Sequence, residues 1–343
     1  MRGLQVEAKG VAEEMQSLVL TRDGLQLADT PRPALMPGNV RIEVRSVGIC
    51  STDIAIWKGD YEVNLPLVLG HEIAGVIHES SVPDLRQGTA VTTEVDVPCG
   101  KCWYCRHNQP ARCKEKELLG ITTDGGLAEF LSVPAELVHP LPEGIDVSSG
   151  IFVEPLAAAI ETYEKAPAEH DEPVVIIGCG KTGLLVAQVY DAFGANVVVV
   201  DQNRWRLGLV RQLGIQNIVN TSNPDWKRRV LDLTTDVGPR IVIESTSNPE
   251  GITMALDLIR DGGIIGLKSI HGEKIRFNPS EIVQREITMF GNFSGPYKKA
   301  VDMLNKGRIE VKRLITKEFK LEDGSKAFEF ASDPSTTKVV INI

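Results

Sequence analysis

A chain of 343 residues with 42% hydrophobic and 24% charged side chains carries apolar material for two cores, and this composition excludes disorder, coiled coil and collagen. A formal net charge of −9 argues against a nucleic-acid surface or a basic membrane patch, and no apolar run approaches the roughly 20 residues that span a bilayer. The N-terminus has acids where a signal peptide needs an apolar core, so the chain reads as cytoplasmic, with its six cysteines kept reduced.

Residues 1–14 precede any strand pattern and read as an N-terminal extension. From Gln16 to about Glu143 the text is β-rich. Short alternating or apolar runs at 16–20, 40–50, 73–77 and 90–95 are separated by Gly and Pro, and Pro31, Pro33 and Pro37 mark an irregular connection. This predicts a compact antiparallel barrel or sandwich. From about Ser148 the period becomes helical, and 154–166 sets Leu156, Ala159, Ile160 and Tyr163 at helical spacing. After a polar linker at 167–173, β-branched runs at 174–177, 197–200, 217–219, 240–245, 263–268 and 287–290 alternate with helical stretches, which include 204–213, 225–233 and 251–259. Strands alternating with helices predict a doubly wound sheet of six parallel strands. A helix at 297–306 leads to two strand-like runs, 314–319 and 338–343, that need a sheet and are expected to return to the first domain. The expected domains are therefore 15–150 with 296–343, and 151–295.

The stretch 173–201 reads PVVIIGCGKTGLLVAQVYDAFGANVVVVD, a strand, a turn, a helix and a second strand. Gly178, Gly180 and Gly183 fit G-x-G-x-x-G, in which the glycines allow a tight turn, close approach to a pyrophosphate and close helix packing. The helix N-terminus offers free N–H groups to the phosphates, and Lys181 and Thr182 join the candidate cofactor-binding set. Asp201 ends the second strand 23 residues after Gly178, where a carboxylate binds a ribose 2′-OH and repels a 2′-phosphate. That favours NAD over NADP, while Arg204 and Arg206 on the following helix read as solvated. The GKT at 180–182 also suggests a P-loop, but that motif needs glycine where Val175 stands. A turn of this shape with no ligand stays open as an alternative.

Residues 98–113 read PCGKCWYCRHNQPARC, so that Cys99, Cys102, Cys105 and Cys113 form C-x2-C-x2-C-x7-C. Four thiolates close a tetrahedral zinc shell and leave no position for chemistry, so the set should pin a loop that lacks its own core. An iron–sulfur site also clusters cysteines, and His107 is a spare candidate ligand that reads as a surface residue. A more dispersed set comprises Cys50 in CSTD, His71 and Glu72 in LGHE, and Glu154 in VEPLA. One thiolate, one imidazole and one carboxylate would leave the fourth zinc position open to water or substrate. Each also has an ordinary reading, as a small buried hydrophobe, a core histidine or a helix N-terminal acid, and spacing alone does not join them.

In their order and approximate spacing these motifs resemble the zinc-dependent medium-chain alcohol dehydrogenases, from about Met15 to the C-terminus. The resemblance implies an α/β fold with a GroES-like β-rich catalytic domain plus a doubly wound Rossmann coenzyme domain, and an active site in the cleft between them. It implies Cys50, His71 and Glu154 as catalytic zinc ligands, Glu72 as the acid that approaches the metal, and the four clustered cysteines as a structural zinc set, so two zinc ions per subunit. Asp53 would orient the zinc-bound histidine and Thr52 would take the alcohol proton outward. Glutamate at 154, where liver-type enzymes place cysteine, resembles the sorbitol, threonine and glucose dehydrogenase branch. Ala55 departs from the histidine that many relatives carry there, so the proton must leave by water or another group.

The implied reaction converts a secondary alcohol of polyol, sugar or hydroxy amino acid type to a ketone with NAD+. A zinc-dependent aldehyde reductase or primary alcohol dehydrogenase, and a non-catalytic nucleotide-binding regulatory module, are the alternatives. Trp57, Tyr61, Lys268 and Phe293 are candidate cleft residues by position. The implied partners are a small-molecule alcohol or ketone and further copies of the chain in a dimer or tetramer, joined at the edge strand 287–290.

Overall fold

The computed structural model describes residues 13–270 and 273–343, so residues 1–12 of the expected extension lie outside the described residues. The first strand, Glu14–Thr21, turns at Gly24 (φ +113°) into an antiparallel partner, Gly24–Pro31, that the sequence did not announce. That partner is mostly solvated along its length and lacks an apolar run. Residues at such an edge carry little hydrophobic signal.

The strand Asn39–Gly48 is the axis of the first domain. It buries Val40, Ile42, Val44 and Val47 and pairs antiparallel with Glu72–Ser80, Phe130–Pro134 and Lys338–Asn342. Along the sheet the order is Val138–Pro140, Ala90–Thr93, Glu72–Ser80, Asn39–Gly48, Lys338–Asn342 and Ile315–Lys320. Both C-terminal strands thus lie in the first sheet. Between them the helix Gly324–Ala331 lays Phe328, fully buried, against the edge of the Trp57 ring at 5.8 Å.

The second domain holds six parallel strands in the order Asn217–Asn220, Asn196–Asp201, Pro173–Ile177, Ile241–Glu244, Ile264–Leu267 and Thr288–Gly291. Its inner strands read as continuous β-branched runs because both faces are buried. Val174 and Ile176 meet the helices Val153–Lys165 and Lys181–Ala192, while Val175 and Ile177 meet Trp226–Leu233 and Glu250–Leu258 on the other face. The helix Tyr297–Asn305 packs on Val153–Lys165 and shares that first core, so the chain re-enters the other domain only beyond it. Strand order reverses between Pro173–Ile177 and Ile241–Glu244, which opens a crevice at their carboxyl ends. No helix among the described residues is long and apolar enough to cross a membrane.

Truncating Phe328 tests whether the C-terminal return is part of the first domain's core. Phe328→Ala should cost about 3–5 kcal/mol in denaturant unfolding, and a loss below about 1 kcal/mol would detach the helix from that core.

Candidate active site

A cavity of about 710 Å³ opens at this crevice, and both domains wall it. Gly178, Gly180, Asp201, Thr246 and Lys268 line it from the second domain, and Ser51 and Ile54 line it from the first. That volume is in the range of sites that hold sizeable ligands.

Sterics explain the glycine turn. Gly178 sits at φ +88°, and a Cβ there would lie 2.8 Å from the Ser245 carbonyl oxygen. At Gly183 a Cβ would strike the Gly178 carbonyl and lie 2.6 Å from Ser245 Oγ, so helix and strand pack with no side chain between them. Gly180 differs, since a Cβ there would meet only the Arg206 guanidinium, at 3.6 Å. The open space is on the cavity side, where a phosphate-bearing ligand would approach the N-terminus of Lys181–Ala192. Lys181 and Thr182 line the same wall.

Asp201 accepts the N–H of Cys179 and of Asn203, both at 2.7 Å, which fixes its carboxylate at the cavity wall beside the turn. Arg206 corrects the expectation that both following arginines are solvated. Its guanidinium lines the cavity and donates to the carbonyls of Pro334 and Thr336, the latter at 3.4 Å, whereas Arg204 is exposed. The reason lies in the chain's return, which brings 334–336 over the helix Arg204–Gln212 and offers carbonyls that sequence spacing could not reveal.

In the first domain, Cys50 closes the axial strand and N-caps the helix Ser51–Lys58. Its N–H donates to Asp53 Oδ2 at 2.8 Å, and Asp53 Oδ1 accepts the Gly70 N–H at 3.2 Å. Asp53 is fully buried and lies 3.3 Å from His71 Nδ1. That approach is too poorly aligned for a hydrogen bond, and Nδ1 counts among the buried polar atoms without one. Burial raises the Asp53 carboxyl, but His71 and the Cys50 and Gly70 N–H groups outweigh it and hold the group below its usual value. Burial likewise opposes the His71 imidazolium, and Asp53 and Cys50 overcome it, so the ring holds its proton well above the usual histidine range. Cys50 Sγ lies 3.8 Å from Thr52 Oγ1.

Glu72 points into a space that Gly48 leaves free, where a Cβ would collide with its carboxylate. There it meets Lys338, whose Nζ lies 2.6 Å from Oε1 and closer still to Oε2. The pair joins strands 266 residues apart in sequence and is almost wholly buried. Losing one partner of such a pair strands a charge, typically at a cost of about 3–5 kcal/mol. Lys338 carries no signal in TTKVVINI, where it reads as the polar start of a strand.

Glu154 opens the helix Val153–Lys165, and its carboxyl is raised to about 7 by burial and then by Glu72, against the pull of His71, Lys338 and Lys268. Lys268 lines the cavity, donates to the Asn292 carbonyl at 3.1 Å and is pushed down to about 8 by burial. Of the other candidate cleft residues, Trp57 is half-buried against the first domain's core, and Tyr61 and Phe293 are exposed.

The four clustered cysteines are brought together. Their sulfurs all lie within 4.8 Å of one another, with Cys102 to Cys105 at 3.5 Å and Cys102 to Cys113 at 3.7 Å. Zinc–sulfur bonds of about 2.3 Å in a tetrahedron place sulfurs about 3.8 Å apart, so the shell fits the ion. The thiols share protons unequally. The Cys105 N–H helps to lower the Cys102 thiol to about 7, while burial and Cys102 raise Cys105 to about 12. His107 stacks on Trp103 at 4.1 Å with its Nδ1 2.7 Å from the Trp103 carbonyl, so its ring is occupied away from the sulfurs. Among the described residues no other group of three ligands closes as tightly. Cys50, His71, Glu72 and Glu154 lie within electrostatic reach of one another, His71 feeling Cys50 and Glu154 feeling His71 and Glu72, as a looser set of sulfur, nitrogen and oxygen donors. Sulfur, nitrogen and carboxylate donors of these types suit a borderline-soft cation such as zinc.

Comparison with known proteins identifies the family of the chain. The alcohol dehydrogenase GroES-like domain family matches residues 36–143 and the zinc-binding dehydrogenase family matches residues 182–306. The chain is 30% identical over 339 residues to a sorbitol dehydrogenase of Halalkalibacterium halodurans, covering 95% of this chain and 99% of the relative. Among solved structures, a Sinorhizobium meliloti 1021 protein with NADP bound superposes with TM-score 0.90 at 26% identity, covering 96% of this chain and all of that one. An Escherichia coli CFT073 alcohol dehydrogenase complexed with NADH superposes with TM-score 0.89 at 26% identity, over 96% of this chain and 99% of that one.

Substituting one sulfur tests the lobe. Cys102→Ser should lower the zinc content and drop the melting temperature by several degrees while leaving dinucleotide affinity near wild type. Unchanged zinc content and melting temperature would remove zinc from the lobe.

Proposed function

This chain belongs to the zinc-dependent medium-chain alcohol dehydrogenases and is an alcohol or polyol dehydrogenase, and we propose that it interconverts a secondary alcohol and its ketone using NAD(H) in the cleft between its domains. The observation that carries this reading is the continuity of one cavity from the glycine turn to Ser51, which follows Cys50 in the chain, and to Lys268, whose ammonium feels the Glu154 carboxylate. When bound, zinc supplies Lewis acidity toward an alcohol oxygen and the nicotinamide supplies a two-electron hydride acceptor.

The chain's own residues do the rest. Cys50, His71 and Glu154 would hold the metal, and Asp53 fixes the Cys50 backbone and faces the imidazole at 3.3 Å. Thr52 Oγ1, beside Cys50 Sγ, is placed to take a substrate hydroxyl proton, which leaves by water since Ala55 offers no base. Lys338 holds Glu72 by its carboxylate and keeps this second acid anchored in the wall. Lys268 sets an ammonium near Glu154 on the cavity wall, which suits a substrate rich in oxygen such as a polyol. The four-cysteine lobe would take a second zinc, and the edge strand Thr288–Gly291 would join copies of the chain.

The Asp201 carboxylate at the adenosine end supports NAD over NADP, with Arg206 nearby tempering the preference. A panel of polyols and simpler alcohols, read by the absorbance of reduced nicotinamide, should show turnover with NAD+ at higher kcat/KM than with NADP+. In the same assay Cys50→Ser should fold and bind NADH yet lose turnover. Substantial activity in that variant, or a preference for NADP+, would overturn the corresponding part of the reading.

A further inference from the structure

Lys181 is out of place by the ordinary rules of helices. It is the first residue of Lys181–Ala192, and that helix has no acid in its first turn. A cation there opposes the positive end of the helix dipole. A second buried cation, Lys338, adds to the repulsion, and burial itself disfavours the ammonium. Its compensation comes from the other domain. Cys50, Glu72 and Asp53 attract it, and Nζ donates to the Ile49 carbonyl at 3.2 Å, 132 residues away in sequence.

Ile49 is the residue before Cys50, and its own N–H donates to the Val339 carbonyl at 2.9 Å. The lysine therefore spans the cleft and grips the backbone that carries the reactive end. Among the described residues the Ile49 carbonyl is the one hydrogen-bond acceptor of Lys181 Nζ, which leaves two of its three N–H bonds for a ligand. The same side chain lines the cavity beside Gly180, where the cradle is open to an anion.

We propose that Lys181 binds the diphosphate of the dinucleotide and, through the Ile49 carbonyl, couples occupancy of the coenzyme cavity to the position of the Ile49–Cys50–Ser51 backbone. This rests on the reading of the cavity as a dinucleotide site. Lys181 acts on the reaction as a positioning residue, because the group that it moves is the segment ahead of Thr52. The diphosphate supplies the anion that both the helix N-terminus and the lysine lack.

The test compares ADP, which has the diphosphate, with adenosine, which does not, by calorimetry on the full chain with its zinc. Lys181→Met should weaken ADP and NADH about 10- to 100-fold, as expected for a lost charge-assisted hydrogen bond, leave adenosine unchanged, and be partly rescued in Lys181→Arg. Equal loss for adenosine, or no loss for ADP, overturns the proposal. Hydrogen exchange on the wild-type protein gives a second arm that needs no variant. ADP should slow the amides of residues 49–51 and adenosine should not, whereas equal effects of the two ligands contradict the coupling. Failure of the wild type to bind ADP and NADH at all would instead remove the dinucleotide reading itself.

Discussion

Charge buried in the seam between the two domains is the constraint on which the rest of this structure depends. Asp53, His71, Glu72 and Lys338 are each at least nine-tenths buried, and isolated charges there would cost several kcal/mol apiece. Each is answered by a specific partner. Asp53 takes two backbone N–H groups and faces His71, and Glu72 takes Lys338. Because Lys338 comes from the last strand, Glu72 gains its partner only when the C-terminal return has closed on the axial strand. The long excursion through the second domain is therefore locked at both ends by one ion pair. The wall so fixed carries Cys50 and His71, and Ser51 next to Cys50 lines the cavity.

The opposite wall is set by sterics rather than charge. Gly178, Gly183 and Ser245 meet so closely that two strands and a helix converge without side chains between them. That contact brings the helix N-terminus to the carboxyl edge of the sheet at the point where strand order reverses. One wall thus suits an anionic carrier and the other a metal and an alcohol, and Lys181 and Arg206 cross between the domains. Packing and electrostatics divide the work by domain, and function arises where the two meet.

How much of this was legible in the sequence follows from what each feature costs or exposes. The parallel strands announced themselves because burial on both faces demands unbroken β-branched runs, as in Val197 to Val200. The cysteine lobe was legible because a tetrahedral shell imposes short spacings on one stretch of chain. Cys50, His71 and Glu154 were not joined by any spacing, since three separate elements deliver them, and only their likeness to a known family grouped them. The strand Gly24–Pro31 and the helix Ser51–Lys58 escaped notice, the first for its solvated faces and the second for its weakly amphipathic eight residues. Lys338 and Arg206 escaped because their partners lie 266 and 128 residues away, a separation that local pattern does not encode.

X-ray absorption at the zinc edge of the isolated full-length protein tests the central claim, that the cleft holds a metal of mixed ligation apart from the cysteine lobe. The account predicts two zinc ions per chain and an averaged shell of sulfur together with nitrogen and oxygen scatterers. One zinc per chain in a pure four-sulfur shell would contradict it, leaving the cleft a nucleotide site without its Lewis acid.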